Sequence, residues 1–229
     1  IDDYFHTMNN RIYYSLFVFF IIAQFNIGLG QKEKSFSGEL IYKVTKVDSG
    51  TNALMSDTSN EDNKVMIYAK DSLLKIVNFN SKNGFQECLK HLKKNKSILL
   101  IGIEGQGYAI RIDENKSLQN DSLYAFRKKC GFKKRVGGLR SKRIMMSHPM
   151  LTNDLLCLYS KKIPSKYSNV FNHIPGLPSV YYLASEEGLL RYELESYKMY
   201  DPPLSLFMIP EGYEIVTMNE FIDKVNSDN

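Results

Sequence analysis

The stretch from Ile163 to Leu183 constrains the fold more than any other part of the chain. Pro175 and Pro178 bracket Gly176 and Leu177. Each ring removes an amide donor and pushes the preceding residue into an extended conformation. Neither a helix nor a central strand is expected to run through them. Val180-Tyr181-Tyr182-Leu183 follows, with the β-branched and aromatic composition of a strand entering a packed sheet. The segment therefore reads as a fixed crossing that delivers one strand to the next layer of an antiparallel sheet.

Alternation supports β structure along most of the chain. Phe36, Leu40, Tyr42 and Val44 share one face, opposed by Ser37, Glu39 and Lys43. Further strands are expected at Lys64–Ala69, Leu73–Phe79, Ile98–Ile103 and Tyr108–Ile112, then at Leu123–Phe132, Leu139–Met146, Leu155–Tyr159, Leu189–Tyr197, Leu204–Ile209 and Tyr213–Val216. Gln86–Lys94 leans to an extended segment. Polar loops are expected at 48–63 and 113–122, and turns at Asn83-Gly84 and Glu186-Glu187-Gly188. Gly102 to Gly107 is spaced wrongly for a dinucleotide fingerprint and reads as a glycine-bearing hairpin turn. One helix is expected, at the C-terminal end. Thr217 and Glu220 fit a capping box, and Met218, Phe221, Ile222 and Val225 form a stripe that should pack on the sheet. The expected class is mainly β (α+β): a curved antiparallel sheet or half-barrel of eight or more strands with a C-terminal helix, since so many strands curl.

From Met8 the sequence reads Met8-Asn9-Asn10-Arg11, followed by a mainly apolar run of 12 residues from Ile12 to Ala23, then Gln24, Asn26, Gly28 and Gly30. This is the pattern of a secretory signal cleaved before Gln31. The run is short for the roughly 20 residues a bilayer span needs. Residues 1–30 are set apart as upstream residues plus signal peptide, leaving 31–229 as a single β-rich domain with a net charge of +6. A domain of that length can bury enough surface to fold without a disulfide framework. Cys88, Cys130 and Cys157 are odd in number and irregularly spaced, and are expected as buried, unpaired thiols.

Several motifs together resemble a known family. Ile174-Pro175-Gly176-Leu177-Pro178, ahead of an aromatic strand, is similar to the signature of the GLPGLI family of exported Bacteroidota proteins, with Ser179, Val180 and Tyr181 where that signature continues Gly-Leu-Ile. The opening Phe36-Ser37-Gly38-Glu39-Leu40-Ile41-Tyr42, the turn Gly137-Gly138-Leu139 leading into a basic strand, and Ile209-Pro210-Glu211-Gly212-Tyr213 match in order and spacing. The family carries no assigned activity. The resemblance implies a periplasmic or outer-envelope location and a half-barrel like those of lipoprotein carriers and sensors, whose concave face holds acyl chains.

Arg127-Lys128-Lys129, Lys133-Lys134-Arg135 and Arg140, Lys142, Arg143 put nine basic residues and no acid into a window of 17. With Phe126 and Phe132 interleaved, a cytoplasmic chain would be read as binding nucleic acid. Export removes that partner and leaves anionic lipid head groups, lipopolysaccharide phosphates or acidic glycans. A solvated convex face is the ordinary role of such a run. Cys88-Leu89-Lys90-His91 has half the spacing of a zinc site and no second pair, so no metal is expected. No nucleophile elbow is present, and no cofactor is implied.

These readings lead to a non-enzymatic exported protein, peripheral to the membrane, that binds an apolar or lipid-like ligand or an envelope partner. Tyr108, Ile110 and Ile112 are the candidate apolar lining, and Arg140, Lys142 and Arg143 the candidate basic rim. The alternative is a structural adaptor docking on an outer-membrane barrel or secretion component through a free strand edge.

Overall fold

The computed structural model describes residues 35–47, 63–80, 84–103, 105–112, 123–168, 170–171, 173–185 and 188–227. The expected signal peptide and its cleavage point, the loop 113–122, Asn83 and Glu186-Glu187 lie outside the described residues, as does all but Asn63 of the loop 48–63. Thirteen strands are present among the described residues: β1 (Ser37–Val47), β2 (Lys64–Lys70), β3 (Leu73–Asn80), β4 (Gly84–His91), β5 (Lys96–Ile103), β6 (Gln106–Ile112), β7 (Ala125–Lys128), β8 (Lys134–Val136), β9 (Leu139–Ser147), β10 (Leu155–Ser160), β11 (Leu177–Ser185), β12 (Gly188–Met199) and β13 (Tyr213–Thr217). They form one open, curved sheet in the order β13-β6-β5-β4-β3-β2-β1-β12-β11-β10-β9-β7, with β8 also on β9. One helix, α1 (Met218–Ser227), follows β13.

The central pairing is β1 with β12, strands about 150 residues apart in the chain. It joins a run of hairpins, β1 to β6, to a second run, β9 to β12. Opposite Ile41 and Tyr42 the register shifts, because Glu195 is an extra residue in β12. Such a bulge bends a strand and raises local twist, which helps a wide sheet curl.

The inner face is defined by Leu40, Tyr42, Ile67, Ala69, Leu74 and Ile76, all buried. It is covered by the connection between β10 and β11, residues 161–176. A 3-10 turn at Ser165–Ser168 presents Tyr167, and Ile163, Phe171 and Ile174 are buried beside it. The rings meet edge to face: Phe36 with Tyr167 at 5.6 Å, Tyr42 with Tyr181 at 5.7 Å, and Phe171 with Tyr181 at 5.8 Å. Such contacts are worth ~1 kcal/mol each beyond the area they bury. The phenol groups are satisfied as well. Tyr42 O–H donates to the Pro178 carbonyl at 2.8 Å. Tyr167 O–H donates to Asp71 O at 2.7 Å and accepts from the Phe36 amide at 3.0 Å.

This corrects the expected role of the crossing. It does not carry the chain to another layer: β10 and β11 are antiparallel neighbours in one sheet, and the long connection folds back as their lid. Nor do the prolines exclude the strand. β11 starts at Leu177 and contains Pro178, paired with Tyr159 beside a register shift, where a missing amide is tolerated.

A second apolar cluster, Leu89, Leu100 and Ala109 with Ile98, Ile209 and Tyr213, sits on the outer face. Leu89 lies opposite Lys75 in the β3–β4 pair, on the side away from Leu74 and Ile76. The chain from Asp201 to Gly212 crosses over this cluster. Lys70 anchors its start through Asp201 at 2.6 Å and the Pro202 carbonyl at 2.9 Å. Leu204–Phe207 is a 3-10 turn rather than the expected strand. Because this connection returns the chain across the sheet, β13 pairs with β6 in parallel, the one parallel pair among the described residues.

The remaining strand expectations match except at Leu123–Phe132, which is reduced to β7, with Lys129–Lys133 leaving the ladder. Cys157 is buried and Cys130 is exposed, against the expectation that all three thiols are inside; Cys88 is half-buried.

Gly176 has φ +151°, and a Cβ there would lie 2.2 Å from the Ser160 carbonyl oxygen. Gly176→Ala should therefore destabilise the fold by about 3 kcal/mol or more. Gly102→Ala, where nothing lies within 4 Å, should stay within about 0.5 kcal/mol of the parent in urea unfolding.

Candidate functional site

β6 carries Tyr108, Ile110 and Ile112 at alternate positions, opposite Ile101, Leu99 and Ser97 of β5. Through β4 and β3 this face is continuous with that of Leu74 and Ile76, so all three residues lie on the inner face. Ile110 is fully buried beside β13, where Val216 is its register partner. Tyr108 and Ile112 are half-buried.

α1 lies over this end of the sheet. Its start is the expected capping box: the Thr217 amide and hydroxyl both donate to Glu220 Oε2, at 2.7 and 2.8 Å, and the Glu220 amide donates to Thr217 Oγ1 at 3.3 Å. These donors hold the Glu220 carboxyl below its usual range. Lys224 reaches Glu214 of β13 at 3.0 Å. The apolar stripe is used differently from the expectation. Phe221 packs edge to face on Tyr108 at 5.4 Å, but Met218 is 42% and Ile222 47% exposed. Ten residues are too few to lay a whole stripe on a curved face once the first turn is tied to an edge strand.

The candidate basic residues stand elsewhere. Arg140, Lys142 and Arg143 are on β9, with Arg140 and Lys142 exposed and Arg143 half-buried. β6 and β9 are second from opposite ends of the sheet order, so the apolar trio and the basic trio do not share one site through neighbouring strands. The rest of the basic run flanks β9 on β7, β8 and the loop joining them. Of its nine cations, Arg127 is the one ion-paired among the described residues, with Asp154 at 3.2 Å.

One feature had no signal in the sequence: a polar cleft of about 280 Å³ where the β8–β9 turn rests on β1 and β12. Lys43, Arg135 and Arg191 line it together with Glu193 and Glu195, so cations and carboxylates offset one another. Arg191 and Glu193 form an ion pair. The close approach depends on Gly137, whose φ is +51° and whose added Cβ would lie 2.7 Å from the Leu194 carbonyl oxygen. Thr45 Oγ1 is buried here and lacks a hydrogen-bond partner.

The most strongly displaced groups belong to the core instead. Burial raises Tyr42 and Tyr181 well above the ordinary phenol range and pushes the Cys157 thiol up to about 12. Cys157 sits against the Met146 thioether at 3.8 Å, in apolar surroundings. Displaced pKa values often mark chemistry, but here the leading cause is desolvation in packed interior. His148 is buried against Tyr124 with its Nδ1 accepting from the Met150 amide at 3.2 Å, whereas His173 is exposed. Among the described residues, no three His, Cys, Asp or Glu side chains stand close enough to hold a metal ion. No helix among them is long and apolar enough to cross a membrane.

No family model and no curated protein matches the sequence. Among solved structures, the chain is similar to the crystal structure of MucB, with 14% identity and a TM-score of 0.39 over 79% of this chain and 59% of that one. It is also similar to the complex structure of Pseudomonas aeruginosa MucA/MucB, with 12% identity and a TM-score of 0.41 over 80% and 58%. The chain thus spans somewhat under three fifths of the length of these proteins. Identity and overlap at this level are too low for any property of theirs to be carried over.

The raised thiol sets an alkaline limit. Unfolded Cys157 ionises near pH 8.5 while the folded thiol holds its proton to about 12. Stability is therefore full below about pH 8.5 and falls by up to about 1.4 kcal/mol per unit above it, joined near pH 10 by the buried tyrosines. Cys157→Ala should remove the part of this slope between about pH 8.5 and 10 in denaturant titrations across pH, at the cost of a lower starting stability.

Proposed function

We propose that the chain is an exported, non-enzymatic envelope protein of the GLPGLI type that binds a protein partner, a barrel or secretion component, on its curved sheet. The supporting observation is that the inner face under the crossing is filled. Tyr42, Tyr167, Phe171, Ile174 and Tyr181 are all within 2% of complete burial and occupy the place where a carrier would hold acyl chains. Apolar surface is instead presented at the α1 end. Met218 and Ile222, four residues apart and hence neighbours along the helix, stand open beside Phe221 and Tyr108. An open strip of this kind on a folded domain suits a partner's apolar side chains.

A second reading is an apolar or lipid-like ligand held at the same strip, favoured by the half-buried Tyr108 and Ile112 on the sheet beneath. Purification from envelopes separates the two. A stable protein partner supports the first reading, and extractable lipid with uptake of a fluorescent fatty acid supports the second.

Ile222→Asp and Met218→Asp should each weaken partner capture by about tenfold, the loss of one buried aliphatic contact. Both residues are exposed, so the unfolding midpoint should hardly move. Unchanged capture by both variants would exclude this strip as the binding surface.

A further inference from the structure

The edge of the sheet far from α1 is built in an unusual way. β7 and β8 both pair with β9: Lys128 lies opposite Ile144, and Lys134 opposite Ser141. Five residues, Lys129 to Lys133, thus span a gap that β9 crosses with two, Lys142 and Arg143. The surplus chain must leave the sheet plane, and all five residues are exposed. Phe132 in this projection is 91% exposed. The Arg143 side chain lies against the backbone beneath it: a Cβ on Gly131 would be 2.8 Å from Arg143 Nη1.

Lysines along a sheet edge are a common guard against strand pairing, and that accounts for part of the charge. It does not account for a bare phenylalanine at the projection. A protein partner would need a pocket for the ring and carboxylates fixed to match cations on long, mobile side chains. A bilayer surface needs neither. Its head-group layer accepts an aromatic ring at the boundary, while flexible lysines reach phosphates on every side.

We infer that the β7–β9 edge docks on a bilayer containing anionic phospholipids, with Phe132 inserted among the head groups and the surrounding lysines and arginines on the phosphates. The inference rests on the proposed function for one point, that an exported protein meets such a surface. Partner capture at α1 uses the other end of the sheet, so the two readings fail separately.

The sequence contains no tryptophan, so Phe132→Trp places a single reporter at the projection. With the purified exported protein, its emission should shift to the blue on adding phosphatidylcholine vesicles that contain phosphatidylglycerol. Vesicles of phosphatidylcholine alone should leave it unchanged, and raised salt should reverse the shift. Lys129→Glu with Lys133→Glu should weaken binding at least about 25-fold, from roughly fivefold per charge at an anionic surface. Lys93→Glu with Lys94→Glu, exposed in the turn between β4 and β5, makes the same change in net charge and should lower affinity far less. Phe132→Ser should cost about tenfold while leaving the salt dependence as it was. No blue shift, equal binding to neutral vesicles, or an equal loss in the Lys93 and Lys94 control would overturn the proposal. So would capture of an acidic protein without vesicle binding, which would make this a protein-facing edge.

Discussion

The structure depends on how an open sheet closes its own inner face. A sheet of this width has more apolar inner surface than its strands can cover, and no long helix is placed to shield it among the described residues. The 16 residues between β10 and β11 do that work with large rings. A tyrosine buries about as much area as any side chain, and its hydroxyl can end on a backbone carbonyl that would otherwise be stranded. Tyr42 and Tyr167 both do so, on Pro178 and Asp71. The Tyr167 bond ties the lid to the β2–β3 turn, and the Tyr42 bond ties β1 to β11 just past the end of the lid. The lid and the β1–β12 seam therefore support each other.

Most strands were legible because each has one buried and one wetter face, so alternation alone places them. The turn glycines and the capping box were legible for a similar reason, since their chemistry is local. What the sequence hid was non-local. Alternation does not say whether a neighbour runs parallel, so β13 on β6 could not be read from Tyr213–Val216. Pro178 looked like a stop because its lost amide matters only if a partner needs it, and a register shift removes the need. Leu204–Ile209 is apolar enough for a strand, but Pro202, Pro203 and Pro210 leave it as a packed crossing. The helix stripe had the right period, yet the period cannot tell whether a surface is close enough to receive every residue of it.

The candidate site shows the same division. Alternation puts Tyr108, Ile110 and Ile112 on one face of β6, whereas Arg140, Lys142 and Arg143, read as a basic rim, stand on β9. Their separation was invisible, because fewer than 40 residues lie between them in the chain. The cause is the sheet order. After β6 the chain does not add the next strand beside it; the later strands assemble on the far side of β1 through β12, which leaves eight strands between β6 and β9. One long-range pairing thus turns what looked like lining and rim of one cavity into two surfaces at opposite ends.

Those ends also bear on how the protein can make contacts. Strand addition needs a long, flat, unpaired edge. At one end the edge strand β13 has five residues and runs straight into α1. At the other the edge is split into pieces of four and three residues with a projecting loop between them. Neither offers a continuous ladder, so an adaptor working through a free strand edge fits this sheet poorly. Side chains at the ends are a different matter: Met218 and Ile222 at one, and Phe132 among cations at the other, are all turned outward. With the inner face under the crossing filled and both edges blunted, each end of the sheet presents side chains rather than an open ladder.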